Sequence, residues 1–88
     1  MEFEYNIGKA EANKKKHGVD FEEAKVLWEV DNVILPAITK GEERRMIIGR
    51  IKEDLHSCIF TIRSKKIRII SCRKSRDKEK EIYHEKVK

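Results

Sequence analysis

FTIRSKKIRIISCRKSR, residues Phe60 to Arg76, carries seven cations (Arg63, Lys65, Lys66, Arg68, Arg73, Lys74 and Arg76) and no carboxylate, interleaved with Phe60, Ile62, Ile67, Ile69 and Ile70. Successive strand residues face opposite sides, so apolar residues can line one face and cations the other; two strands joined at Ser64-Lys65 supply both. The stretch reads as a basic β-hairpin. Its guanidinium and ammonium tips suit phosphates better than a neutral metabolite.

Working outward, two more strand candidates precede it, Arg44 to Lys52 and Leu55 to Arg63, and Lys66 to Lys74 completes the set. The gaps Glu53-Asp54 and Ser64-Lys65 are short enough for consecutive hairpins, although neither contains a turn glycine. Val33, Ile34 and Leu35 form a short apolar run cut by Pro36, which fits an edge strand because proline cannot donate to a central ladder. Residues 39–43 read as loop. At the N-terminus, Met1 to Tyr5 alternates as a short edge strand would.

Helix signals lie on both sides of these strands. Asn6 offers an N-cap for Ile7 to His17, and Gly18 stands where a left-handed residue ends a helix. Asp20 and Glu23 form an Asp variant of the capping box, with Val19 and Ala24 at the staple positions. Phe21, Ala24, Leu27 and Trp28 then recur at helical spacing, so one face of residues 21–30 packs on the sheet and Trp28 belongs to the core. Arg76 to Lys88 is biased to helix, with Asp77 and Glu79 at its favourable end but few apolar residues to dock it. The order predicts an α+β fold: two N-terminal helices packed on a three- to four-stranded antiparallel sheet, with a C-terminal helix.

The chain has 88 residues, enough for a single domain over 1–88 with a modest core and too few to enclose a large cofactor. The net charge of +5 is unevenly spread. Residues 20–43 hold seven acids against Lys25 and Lys40, whereas Leu55 to Arg76 hold none, so two surfaces for different partners are expected. Cys58 and Cys72 lack metal or redox spacing and read as reduced core residues, a disulfide between neighbouring strands being the lesser alternative. MEFEYN has no apolar signal region and no span suits a bilayer, so a cytoplasmic protein without membrane contact is expected.

Asn13-x-x-Lys16-His17-Gly18-Val19-x-Phe21-Glu22-Glu23-Ala24, then Glu43-Arg44, Gly49, Thr61-x-Arg63 and Arg68-Ile69-Ile70-Ser71-x-Arg73, resembles the BrnT family of toxins from type II toxin–antitoxin pairs. The resemblance runs from Phe3 to about Tyr83. It implies a RelE-like fold and a ribonuclease that inhibits translation by cutting RNA. It also implies a BrnA-like antitoxin that neutralises the toxin and brings it to operator DNA. The chain departs from the commonest pattern at Cys72 and in the run Lys14-Lys15-Lys16.

RNA cleavage without a metal requires deprotonation of the 2′-hydroxyl, stabilisation of the phosphorane and protonation of the leaving 5′-oxygen. Arg63 and Arg73 suit the second task. His17, whose side-chain type titrates nearest neutrality, suits proton transfer with Lys16 beside it, although His17 also suits a helix-ending role next to Gly18. Arg44, Lys65, Lys66, Arg68, Lys74 and Arg76 are the candidate RNA-binding set. Strict alternation puts Arg68 on the face opposite Arg73 unless a bulge intervenes, which favours Arg63 and Arg73 as the working pair. Arg44 also suits a salt bridge with Glu42 or Glu43, and Glu22 and Glu23 suit capping. No cofactor or metal is expected, since no His, Cys, Asp or Glu set has ligand spacing. Homo-oligomerisation is left open. The same face also suits a non-catalytic RNA- or DNA-binding module, or the docking of an acidic protein.

Overall fold

The structure, a computed structural model, describes residues 2–37 and 41–87. Thr39 and Lys40 of the expected loop, Met1 of the first strand and Lys88 of the last helix lie outside the described residues. Strand β1 (Glu2–Glu4) is followed by α1 (Ile7–His17) and α2 (Phe21–Ala24), which continues as a 3-10 turn over Lys25–Trp28. Then come β2 (Asn32–Ala37), β3 (Arg44–Ile51), β4 (Asp54–Arg63), β5 (Lys66–Lys74) and α3 (Asp77–Lys86).

The helix boundaries follow from their caps. Asn6 Oδ1 accepts from the Lys9 amide at 3.0 Å, and Gly18 ends α1 at φ 78°, where a side chain would be strained. Asp20 Oδ1 accepts from the Glu23 amide at 2.8 Å while Glu23 Oε1 accepts from the Asp20 amide at 3.2 Å, so the capping box forms as read. The helix that was expected to reach residue 30 tightens and stops at Trp28. Asn32 Nδ2 then donates to the Leu27 carbonyl at 2.9 Å, which satisfies an end that the next strand leaves no room to extend.

The sheet is wider than expected and mixed. Its order is β1-β5-β4-β3-β2, with the three long strands and β2 antiparallel and β1 parallel to β5. The expectation of three or four antiparallel strands is corrected here: a three-residue strand at one end of the chain pairs with β5 near the other end, a contact that no local signal encodes. Pro36 sits in β2 at the sheet edge, where its missing donor is tolerated. Gly49 allows a close approach, because a Cβ there would stand 2.9 Å from Leu27 Cδ2 and 3.3 Å from the Asp31 carbonyl oxygen.

Two cores result. Ala10, Val19, Phe21, Ala24 and Leu27 pack with Ile47, Cys58, Phe60, Ile67, Ile69 and Cys72 on the face under α1 and α2. Trp28 lies edge-on to Phe3 and Phe60 beside this core, the packing role read from its helical spacing. On the opposite face Tyr83 of α3 packs with Val33, Ile48 and Leu55. Few apolar residues were available to dock α3, yet through Tyr83 it covers part of this face. The cysteines are also corrected: Cys58 and Cys72 are paired directly across β4 and β5, with Cα atoms 4.1 Å apart, and are joined as a disulfide. Facing positions on adjacent strands brought the sulfurs together, and spacing along the chain did not show it.

Candidate nucleic-acid interface

Residues opposed across a ladder project to the same side of the sheet. The β4–β5 pairing therefore sets Ser57, Ile59, Thr61 and Arg63 on one face with Lys66, Arg68, Ser71 and Arg73, the face away from α1. The register runs Ile59 to Ser71 and then Phe60 to Ile69, so Ile70 is the extra residue of a β-bulge. That bulge reverses the alternation and brings Arg68 to the side of Arg73. Strict alternation had excluded Arg68 from this face; the extra residue restores it.

Arg44 joins the same face next to Thr61, since its neighbour Arg45 pairs with Phe60 on the other side. Around Thr61 there is thus a cationic patch of Arg44, Arg63, Lys66 and Arg68. Thr61 itself is buried and donates to the Glu43 carbonyl at 2.6 Å, which ties the segment before β3 to the patch. Lys65 occupies the Ser64-Lys65 turn, where both residues have positive φ, 49° and 65°, and Arg76 is exposed ahead of α3.

Every cation of the patch meets a carboxylate of its own chain. Glu42 Oε2 accepts from Arg63 Nη2 at 2.8 Å and from Nε at 3.1 Å, and Glu42 Oε1 lies 3.6 Å from Arg44. Hydrogen bonds from Arg63, foremost, hold the Glu42 carboxyl below its usual range against opposing desolvation. Arg68 reaches Glu4 at 3.5 Å and Lys66 reaches Glu2 at 3.9 Å. These pairs are long or solvent-exposed, and such pairs contribute about 0–1 kcal/mol.

Arg73 differs. It grips Glu79 of α3 through two bonds of 2.7 and 2.8 Å, with side-chain exposures of 23% and 13%. Glu79 also accepts from Ser57 Oγ at 2.9 Å and from the Arg76 amide at 2.9 Å. Its carboxyl is lowered to about 2, chiefly by the Arg73 hydrogen bonds and against the desolvation that opposes them. Arg73 fastens α3 to the sheet and is occupied in that role.

The four residues expected to carry chemistry do not converge. Arg63 and Arg73 share a face, but the stretch of β4 from Ser57, opposite Arg73, to Arg63 spans about 20 Å at the usual strand rise. One phosphate cannot touch both. His17 and Lys16 stand at the C-terminal end of α1 on the opposite face, and Lys74 also points there, opposite His56. The carboxylates Glu4, Glu42 and Glu79 escaped sequence reading because their partners lie far away in the chain or across a helix end. Among the described residues, no three His, Cys, Asp or Glu side chains form a metal-ligand set.

Helices backing one face of a five-stranded mixed sheet and a cationic patch on the other define a small α+β protein. Residues 5–79 match the family described as ribonuclease toxin, BrnT, of type II toxin–antitoxin system, and the chain belongs to that family. Membership brings RNA as the substrate class and an antitoxin as partner, so the resemblance read from the sequence holds. No curated protein gives a significant match to the chain. No helix among the described residues is long and apolar enough to cross a membrane.

Proposed function

We propose that this BrnT-family chain is a metal-independent endoribonuclease, a single domain over 1–88 with a RelE-like fold, that halts translation in the cytoplasm until a BrnA-like antitoxin covers it. The antitoxin would also carry it to operator DNA. RNA lies against Arg44, Arg63, Lys66 and Arg68, and phosphates replace Glu42, Glu4 and Glu2 as their partners. The observation that carries this reading is the bulge at Ile70, which turns Arg68 into the same patch as Arg63, beside carboxylates too exposed to hold either strongly.

Each charge-assisted contact to a phosphate contributes about 1.5–3 kcal/mol. Arg63→Ala combined with Arg68→Ala is therefore expected to weaken RNA binding by roughly 100-fold or more and to flatten its salt dependence, with little change in thermal stability. Purified protein incubated with RNA in EDTA checks the reading directly: cleavage supports it, and intact RNA with or without added divalent metal overturns it. The patch around Thr61 holds arginine, lysine, glutamate and threonine but no imidazole. That composition favours a second reading, a non-catalytic RNA-binding module, which would give a salt-sensitive gel shift and uncut RNA.

A further inference from the structure

A cleft of about 330 Å³ opens on the α1 side of the sheet, between the end of α1 and the β3–β4 turn. His17, Glu23, Lys52, Asp54, His56 and Lys74 line it. The two histidines come from distant parts of the chain and meet only through the packing of α1 on β5. Asn13 enforces that packing, its side chain bonded to the Val19 carbonyl and to both the amide and carbonyl of Cys72.

His56 is 7% exposed, and its Nδ1 lies 3.0 Å from the Asp54 carbonyl oxygen. A carbonyl only accepts, so in the neutral ring Nδ1 carries the proton and Nε2 presents a lone pair. Nδ1 is the only ring nitrogen of His56 with a hydrogen bond among the described residues. Lys74 stands directly opposite His56 across the ladder, its ammonium 3.5 Å from Asp54, and Lys52 lies 3.8 Å from Glu23 while 83% exposed. Both ammonium groups are loosely held and available to an anion. Lys52 also adopts φ 58°, a left-handed backbone that glycine would fill without strain, so the turn keeps a cation at a local conformational penalty.

We infer that this cleft is a proton-transfer centre for RNA cleavage, with His56 Nε2 as the base, the His17 imidazolium as the acid, and Lys52 and Lys74 holding the phosphate. The inference rests on the ribonuclease reading above. His56 removes the proton from the 2′-hydroxyl and O2′ bonds to phosphorus. The bond from phosphorus to O5′ breaks as His17 delivers a proton to O5′. The products are a 2′,3′-cyclic phosphate and a 5′-hydroxyl end, and the histidines, with their protonation states exchanged, reset through solvent. The cleft and the Thr61 patch lie on opposite faces, so they meet different segments of one RNA: the patch contributes affinity and the cleft breaks the bond.

Cleavage of a short single-stranded RNA across pH 5–9, with its all-2′-deoxy counterpart as a control, tests the assignment. His56→Asn keeps a donor for the Asp54 carbonyl but removes the base; His17→Gln removes the acid. Each is expected to lower kcat at least 100-fold, His56→Asn abolishing the acidic limb of the pH profile and His17→Gln the alkaline limb. A substrate with sulfur in place of the leaving 5′-oxygen departs without a proton, so it should rescue His17→Gln and leave His56→Asn inactive. Folded variants that both cut within threefold of the parent and with its pH profile overturn the inference. If His56→Asn does not fold, the His17→Gln limb and its thio rescue decide the matter. An unsubstituted chain that cuts no RNA overturns the ribonuclease reading and this inference with it; cutting with only the histidines irrelevant overturns this inference alone.

Discussion

Arg73→Ala is expected to destabilise the fold by about 2–4 kcal/mol, because removing one partner of a largely desolvated ion pair strands the other charge. Glu79 would keep only the Ser57 hydroxyl and the Arg76 amide as donors in a site where its side chain is 13% exposed. The same pair gives an acid-sensitive limb. A carboxyl depressed to about 2 in the folded state, against an ordinary 4.5, contributes stability that is fully present above pH 4.5 and is lost as the pH falls through 2. At 1.36 kcal/mol per pH unit that limb is on the order of 3 kcal/mol, somewhat less for residual exposure. Urea titrations at pH 7 and pH 3 check both statements. The parent should lose most of this increment at pH 3 and below, while Arg73→Ala should already lack it at pH 7. Arg73→Met with Glu79→Leu, which removes both charges together, should recover much of the loss. A single variant within about 0.5 kcal/mol of the parent would refute the latch. Lost toxicity in Arg73→Ala therefore reports unfolding before it reports chemistry, and Arg63 and Arg68 are the cleaner probes of RNA contact.

Asn13→Ala should be nearly as damaging, about 2–4 kcal/mol, since it leaves the Val19 carbonyl and both backbone groups of Cys72 without their partners in a buried site. Asn13→Asp keeps the acceptor for the Cys72 amide but sets a carboxylate against two carbonyls, and should be no better. Hydrogen exchange at the Cys72 amide provides a local readout: faster exchange than in neighbouring β5 amides is expected in Asn13→Ala. Equal protection in parent and variant would show that another group satisfies that amide. Because Asn13 holds the last turns of α1 on β5, its loss should also displace His17 from the cleft.

Much of the secondary structure was legible in the sequence. Asn6, Gly18, Asp20 and Glu23 act within their own turns, and period-two alternation marks β3, β4 and β5 to within a residue or two. Candidate site residues were legible as cations but not as a constellation. Arg63 and Arg68 fall in one patch, Arg73 is taken by α3, and His17 lines a cleft with His56, a residue that no spacing along the chain singled out. Alternation is a local rule, and one bulged residue at Ile70 is enough to invert it for everything beyond.

What the sequence by itself determined was which segments are helix or strand, the basic character of the β4–β5 hairpin and the family resemblance, because caps, turns and alternation depend on residues a few positions apart. Only the tertiary structure decided that β1 runs parallel to β5, that Cys58 faces Cys72, that Glu79 engages Arg73 and that two histidines share a cleft. Each of these is a meeting of residues distant in the chain, set by strand register and helix docking, and such meetings are fixed by burial of the whole core and by no neighbouring residue.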